Sequence, residues 1–475
     1  MHPPKSEADE TPVSGLRAGG LPTLGGPFVA LAILFAMNLL NYVDRFSFFA
    51  AGRHIQKALD INDEWFGVLG VSFMIVYTIV SPVMGWLGDR YSRKILLAGG
   101  VGLWSLATVG AAFSADFYHM FFWRALLGLG EASYGAIAPA LIADLFPIKA
   151  RGRAMGVYYL ALPVGTALGY ILGGKIADTL GWQAVFLVVG LPGLLVALAG
   201  LFINDPGRGA SEAGAGPQKA HRPSLKDYLV LLKTPTFLFN TAGMAAVTYA
   251  TGAYAAWGST FYQRVYGLSA TDAGYSIGLL LVGAGILGIL MGMFLPDLLR
   301  KRTRRAYLII AAIGVLVATP LGVAGILNPN YKSSLFFLFG ASVLLSMVLG
   351  PSNTVTANVV PANRRATGYA TFIFLIHLFG DISSPVIMGW ISTHFGRPEV
   401  AQSPIGQFFA AIGARPVQDG DHQTNLTLAM LSVAPVLALG IVFFLIGSHY
   451  LPRDEDRAVA ASSPEDAASP AYFHH

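Results

Sequence analysis

The stretch FGVLGVSFMIVYTIVSPVMGWLGDRYSRK, residues 66–94, sets 23 uncharged and mostly apolar residues directly against Asp89, Arg90, Arg93 and Lys94. As a helix, residues 66–88 run roughly 34 Å, enough to cross a hydrocarbon layer of about 30 Å, and the charged turn then lies at a membrane surface. Working outward, stretches of the same kind fall at about residues 28–51, 95–114, 117–144, 153–174 and 182–203, and again at about 237–261, 273–296, 306–326, 332–358, 366–393 and 424–448. Twelve spans are expected. The composition agrees: 54% of the 475 residues are hydrophobic, 12% are charged and the mean hydropathy is +0.58, whereas about a quarter of the residues of a soluble domain carry charge. The 55 glycines and 27 prolines fit transmembrane helices, where both are enriched. The chain has no cysteine, which excludes disulfides, thiolate chemistry and Cys-ligated metals. A net charge of +5 is no basis for a nucleic-acid partner.

The placement of the basic residues carries the information. Even-numbered connections hold 18 Lys and Arg, including Arg90, Arg93 and Lys94 and the run from Arg300 to Arg305, while odd-numbered ones hold 7. Basic residues are retained on the cytoplasmic side, so both termini and the central linker are expected in the cytoplasm, and the connection 394–423 on the outside. The expected organisation is a cytoplasmic tail (1–27), a six-helix bundle (28–203), a cytoplasmic linker (204–236), a second six-helix bundle (237–448) and a cytoplasmic tail (449–475). Within the linker, Ser224 to Lys233 has the mixed pattern of a short interfacial helix. The first 27 residues carry Pro3, Pro4, Glu7, Asp9, Glu10 and Pro22 and lack the charged start and apolar core of a cleaved signal, so span one is expected to stay.

A shift of 212 residues superposes Pro139 on Pro351, Arg153 on Arg365, Ala154 on Ala366 and Gly156 on Gly368. The two halves are therefore repeats. Six spans per half give both the same orientation, so they can pack about an axis along the membrane normal and rock around a central site. The fold class expected is an all-α membrane protein of twelve transmembrane helices in two pseudo-symmetric six-helix bundles. Gly85, Asp89, Arg90, Arg93 and Lys94 at the exit of span two, with a worn counterpart of Asp297, Arg300, Lys301 and Arg302 at the exit of span eight, suit paired latches between helix ends. Arg153 and Arg365 join this gating set by their repeated position. A merely solvated basic loop is the plainer alternative. Gly165, Gly169 and Gly173 form a small-residue stripe in span five that suits close helix packing.

Ionisable residues inside a span are costly and face a cavity or a partner. At about 1.5 Å per residue, Asp44 lies roughly 24 Å along span one, at a depth similar to Arg124 in span four. Asp44 is expected to pair with Arg124 or Arg45 in one state and to take a proton in another, because pairing favours the carboxylate and desolvation the acid. Arg124 and Glu131 are two turns apart and share a face. Toward a cavity, Arg124 suits a phosphate or carboxylate headgroup, and Glu131 suits a proton or an amine. A purely intramolecular network is the alternative for each. Arg45 adjoins Asp44 and cannot point the same way, so a structural role fits it equally. His377 and Asp381, four apart in span eleven, can tune the polarity of the opposite wall. Tyr42, Tyr134 and Tyr158 offer apolar faces with polar edges. No metal site or cofactor is expected. No nucleophile with a base in reach, phosphate-binding loop or dinucleotide fingerprint stands in a suitable context, so an enzyme is not expected.

The segments Asn38-Leu-Leu-Asn-Tyr-Val-Asp44-Arg45-Phe, Gly85 to Lys94, Gly128-Leu-Gly-Glu131-Ala-Ser-Tyr134 and Ile137-Ala-Pro-Ala-Leu-Ile-Ala-Asp144-Leu-Phe resemble the spinster family of the major facilitator superfamily, in a bacterial-looking form. The resemblance implies the twelve-helix transporter fold. It also implies secondary transport of lipid-like single-chain amphiphiles, with sphingosine 1-phosphate and lysophospholipids as the animal family's substrates. Asp44, Arg45, Arg124 and Glu131 match the residues the family associates with transport and coupling. The expectation is a proton-coupled secondary active transporter of such amphiphiles, multi-pass in the inner (plasma) membrane and functional as a monomer. Its partners would be the amphiphile, protons and the bilayer. A multidrug or organic-ion exporter is the alternative within transport, and a non-transporting receptor or sensor the alternative outside it.

Overall fold

A computed structural model describes residues 26–207, 231–361, 365–419 and 422–460. The tails, the linker 208–230 with most of the expected interfacial helix, and the side chains of Asp89 and Arg365 lie outside the described residues.

Spans one to six are Pro27–Ala50, Asp63–Arg90, Arg93–Ala111, Phe117–Leu145, Ile148–Leu180 and Trp182–Gly200. Spans seven to nine are Pro235–Val265, Ala270–Arg300 and Ala306–Ile326. The remaining three are broken or stepped: Tyr331–Met347 with Leu349–Val359, Arg365–Ile376 with Ser383–Gly396, and Leu426–Leu431 with Val433–Ala460. Their starts are set by ordinary capping chemistry. Asn62 accepts from the Trp65 N–H at 3.0 Å, Asp116 from His119 at 2.9 Å and Ser269 from Asp272 at 3.0 Å, each satisfying a donor the first turn leaves open. A short helix, Gly52–Leu59, follows span one and ends at Asp60, whose left-handed φ of 49° turns the chain into span two.

Eleven of these helices are long and apolar enough to cross a membrane. Span seven, 31 residues long, falls short in hydropathy for a physical reason: neighbours cover it, so it need not be greasy. Its Asn240 amide donates to the Ser352 carbonyl at 3.0 Å and to the Thr356 hydroxyl at 3.1 Å, and Gln263 donates to Ser259 at 3.1 Å. Buried polar groups satisfied in this way are tolerated at membrane depth.

The glycine stripe of span five seats span one. A Cβ at Gly165 would sit 2.7 Å from that of Tyr42, and one at Gly173 would sit 2.7 Å from the Ser47 Cα. The packing reading of these glycines is therefore the observed one. The halves meet toward the face opposite the termini, where backbones touch: Gly67 lies against the Pro385 carbonyl, Gly389 against that of Asp63 and Gly274 against that of Tyr170. Toward the terminus-bearing face, a Cβ at Gly85 or Gly156 would meet nothing within 4 Å. Gly85 thus makes no close helix approach here, contrary to the expectation for a latch glycine, because the halves are parted at its level.

Span eleven is not the continuous helix expected. It widens over His377–Asp381, and Gly380 leaves helical geometry at φ −101°, ψ −105°. Gly380 is wedged on span seven, where a Cβ would stand 2.1 Å from the Thr248 hydroxyl, and that hydroxyl lies within hydrogen-bond reach of the Ile376 carbonyl across the contact at 2.9 Å and of the Met244 and Ala245 carbonyls of its own helix at 3.1 and 3.0 Å. Span twelve runs past its expected end at 448, because Asp454 caps the start of span seven through the Thr236 N–H at 2.9 Å.

Candidate functional site

A cavity of about 250 Å³ opens between the halves. Span one contributes Asn38, Asn41, Tyr42 and Arg45; span two Met74, Tyr77 and Thr78; span four Glu131, Tyr134, Gly135 and Pro139; span five Tyr158 and Tyr159. Among the described residues, only His377 lines it from the second half.

At its centre Arg45 Nη2 donates to Glu131 Oε2 at 2.7 Å. The guanidinium also stands 4.7 Å from the Phe73 ring centroid and 5.4 Å from that of Tyr42, a geometry that adds cation–π attraction. Arg45 Nε and Glu131 Oε1 are both buried and have no hydrogen-bond partner. Unmade bonds of this kind in a low-dielectric site are costly, and a partner that reached them would relieve that cost. Arg45, for which a structural role was equally open, therefore faces the cavity.

Asp44 points away from it. Only 4% exposed, it meets the Thr108 hydroxyl through Oδ2, rather than either of the expected arginines. Thr108 Oγ1 also lies 3.0 Å from the Trp104 carbonyl, so one hydroxyl hydrogen has two acceptors.

Arg124 requires a correction. It does not line the cavity: it is 2% exposed and donates to the Leu69 carbonyl at 2.7 Å and the Gly70 carbonyl at 3.4 Å, with its guanidinium 3.6 Å from the Phe48 ring centroid. Two backbone acceptors and a ring face hold it and it is buried away from the cavity, so in this conformation it braces span two instead of presenting charge to a headgroup.

All three expected tyrosines line the cavity, each with its own partners. Tyr42 lines the wall, stacked on Phe46 with centroids 6.4 Å apart. Tyr134 donates to the Leu34 carbonyl at 3.3 Å, and its ring lies 6.1 Å from that of Tyr158. The Tyr158 carbonyl accepts from Asn38 at 2.9 Å. His377 Nδ1 lies 2.8 and 3.0 Å from the two carboxylate oxygens of Asp381. This pair bridges the break in span eleven, and His377 reaches the cavity ahead of Asp381.

At the closed face a buried ion cluster, absent from the sequence expectations, joins the halves. Asp63, fully buried, accepts from Gln56 at 2.8 Å within its own half, and from Arg264 at 2.8 Å and Ser392 at 2.6 Å across the divide. Arg264 also donates to Gln56 Oε1 at 3.0 Å and to Asp419 at 2.5 Å, and Arg53 pairs with Asp419 at 2.8 Å. Burial pushes the Asp419 carboxyl up, but the guanidinium groups of Arg264 and Arg53 outweigh it and hold the group below the usual carboxylate range. Beside the cluster, Asp178 accepts from the Thr271 N–H at 2.7 Å and hydroxyl at 2.6 Å, and lies 3.5 Å from His54 Nε2. Burial lowers the His54 pKa, against the pull of Asp178. One signal was available in the sequence: Arg264 is the sole Lys or Arg between residues 234 and 299.

The described ends of the latch motifs pair inside their own halves. Arg93 meets Asp144 at 2.5 Å. Arg90 is exposed, stacked over Trp86 at 4.4 Å, and Arg153 is also exposed. Lys94 is half-buried. Asp297 accepts from Tyr307 at 2.8 Å, and Arg300 forks onto Glu455 at 3.0 and 3.2 Å.

The sequence model of the Major Facilitator Superfamily matches residues 34–385. Protein spinster homolog 1 of Bos taurus is 36% identical over 419 residues, covering 84% of this chain and 79% of that protein. Protein spinster of Drosophila melanogaster is 34% identical over 471 residues, covering 90% and 77%. The chain belongs to the spinster family. As a spinster-family member of the Major Facilitator Superfamily it is a multi-pass membrane transporter, a kind of protein distinct from an enzyme. A solved structure described as a bacterial homologue of the human lysosomal transporter spinster, in an inward-facing and unoccupied conformation, superposes with a TM-score of 0.73 at 23% identity, covering 92% of this spinster chain and 99% of that one. A D-xylose–proton symporter has the same fold, with a TM-score of 0.68 at 15% identity over 89% and 97%.

Proposed function

We propose that this spinster-family chain is a proton-coupled secondary active transporter of lipid-like amphiphiles, seen in its inward-open state. It lies in the inner (plasma) membrane with both termini cytoplasmic and works as a monomer. The excess of Lys and Arg in even connections supports that orientation, and the fold likeness to an inward-facing spinster homologue supports the state.

The observation that carries the reading is the Arg45–Glu131 pair at the cavity centre, each partner with a buried atom to spare. A headgroup bearing an acid is read by Arg45, and one bearing an amine by Glu131. Tyr42, Tyr134, Tyr158 and His377 shape the wall, with Asp381 orienting His377. A 250 Å³ cavity is headgroup-sized, which leaves the acyl chain to apolar surface outside it.

Asp44 is the proposed proton carrier. When Thr108 keeps its hydrogen for the Trp104 carbonyl, as helix threonines do, Asp44 must be the acid to complete the bond. When Asp44 is ionised, Thr108 turns to it and releases Trp104. Glu131 changes protonation in the same cycle, as Arg45 is drawn to or from it. Gly85, Asp89, Arg90, Arg93, Lys94, Arg153, Asp297 and Arg365 are proposed to close the inner face when the halves rock together.

The test is uptake of labelled sphingosine 1-phosphate and a lysophospholipid into reconstituted vesicles, with the proton gradient imposed and collapsed. Uptake above empty vesicles that falls on collapse is expected, and Asp44→Asn should remove the gradient dependence. Gradient-driven uptake at the normal level in Asp44→Asn would end the coupling role. Flux of a lipophilic organic cation in place of either lipid would favour the exporter alternative.

A further inference from the structure

The connection between spans eleven and twelve is built, not slack. After two short helices, Pro398–Ala401 and Pro404–Ala411, it forms a hairpin of β1 (Val417–Asp419) and β2 (His422–Thr424), with Val417 opposite Thr424 and Asp419 opposite His422. Its base is pinned on three sides. Asn425 donates its N–H to the Ser392 carbonyl at 2.9 Å and its side chain to the Ala414 carbonyl at 3.0 Å, and a Cβ at Gly396 would stand 2.2 Å from the Gln423 carbonyl. Seated on the end of span eleven, the hairpin reaches Arg53 of the first half with one carboxylate oxygen of Asp419 and Arg264 of the second half with the other.

We infer that this hairpin is a strap for the outer gate, with Asp419 as the positioning residue that aims Arg264 at Asp63. The stereochemistry supports it. Arg264 has five donors in a fixed plane; Asp419 engages Nε, which leaves Nη1 for Asp63 and Nη2 for Gln56. Without Asp419, Nε would be a buried donor with no acceptor, and the guanidinium would be aimed only by Asp63, Gln56 and a longer contact to Thr424 at 3.5 Å. Arg53 then ties the same carboxylate to the first half, so the strap crosses the divide that must widen for outward opening. Release of the hairpin precedes separation of Asp63 from Arg264. The inference rests on the transporter reading for the name of the face; the contacts themselves do not depend on it.

The chain's lack of cysteine allows a clean probe. Thr260 is fully buried one turn below Arg264 on the stripe that also carries Trp257, and its hydroxyl has no partner, so Thr260→Cys removes no hydrogen bond. In nanodiscs, with both faces reachable, the rate at which a water-soluble maleimide modifies the introduced thiol reads opening of the outer gate without requiring flux. Asp419→Asn should raise the rate about ten-fold or more, Asp419→Glu should restore most of the slow rate, and Arg53→Gln should raise it by less. Glu399→Gln, exposed on the same connection, should leave it unchanged. Thermal melting of each variant separates opening from unfolding, because a strap variant should melt as the parent does. An unchanged rate in Asp419→Asn, with a raised one in Arg264→Gln, would overturn the strap and leave Asp63–Arg264 as the whole gate. Failure of lipid uptake with the labelling pattern intact would fault the substrate and spare the strap.

Discussion

Among the described residues, the two faces of the molecule wire their ion pairs differently. On the face opposite the termini, Asp63–Arg264 and Arg53–Asp419 cross from one half to the other, as does the cap of Asp178 on Thr271. On the terminus-bearing face, Arg93–Asp144 stays in the first half, and Arg300–Glu455 and Arg304–Asp456 stay in the second. Crossing pairs set how the halves stand relative to each other. Internal pairs keep each half rigid enough to move as a body. The central Arg45–Glu131 pair belongs to the internal class although it faces the cavity, so its charge can serve a solute without loosening the gate.

The comparison breaks most visibly at Arg264. Arg264→Gln leaves Asp63 buried with one charged partner gone, a change that costs about 3–5 kcal/mol and outweighs a closed-state preference of ordinary size. Pulsed electron–electron distances between labels on the outer ends of spans two and eleven should shift to a long, open population. A distribution that stays short would mean backbone contact at Gly67 and Gly389, not charge, holds the face shut. Asp63→Asn added to Arg264→Gln should recover part of the closed population, since no buried charge is then stranded. The next largest effect is on flux. Arg45→Gln should reduce uptake about ten-fold or more through the uncompensated Glu131, with the outer distances unmoved; a shift of those distances would place the pair in the gate after all.

The difference between the faces also explains what could be read beforehand. The spans and the repeat were legible because hydrocarbon imposes long apolar runs, and the basic clusters of the terminus-bearing face because they stand between those runs. Asp44, Arg45 and Glu131 stood out as charges inside apolar runs. Their partners did not, because Arg45 faces Glu131 and Arg124 faces two backbone carbonyls, and the choice depends on rotamers and on helix rotation that spacing does not encode. The cluster at the closed face, signalled only by the isolated Arg264, was hidden for another reason. Asp63, Arg264 and Asp419 are far apart in the chain, each near a span end where a charge reads as merely solvated. Span eleven's break was not legible because His377 and Asp381, four apart, also suit a continuous helix, and the contact that seats Gly380 lies on Thr248 of another span.

Breaking an internal pair should sharpen the contrast with a smaller effect. Arg300→Gln strands Glu455, which is 5% exposed and keeps Asn358 at 3.1 Å and Arg304 at 3.4 Å. The loss of a charged hydrogen bond, about 1.5–3 kcal/mol, should appear as a melting temperature lower by a few degrees, read by intrinsic fluorescence, while the outer distances hold. Opening of the outer face in this variant would mean that the two faces communicate through span eight.

The smallest effect is on pH, and two groups of the closed face give it separate windows, both weakening closure as pH falls. Asp419 is held below its ordinary value of 3.8 by Arg264 and Arg53 against burial, so its contribution to closure is complete above that value and is lost only as pH falls further; between pH 8 and 5 that contribution is constant and adds no pH dependence. His54 is held below its ordinary 6.5 by burial and by Arg53 and Lys57, with Asp178 opposing. Protonation therefore favours any state in which His54 is better hydrated, and closure weakens as pH falls through 6.5 toward the lower closed-state value. The open fraction in the outer distance distribution should rise slightly from pH 7.5 to 5.5, and His54→Gln should flatten that rise. A rise that persists in His54→Gln would transfer the acid sensitivity to the buried carboxylates of spans one and four, making the outer face a follower of the central site instead of a reader of the outer solution.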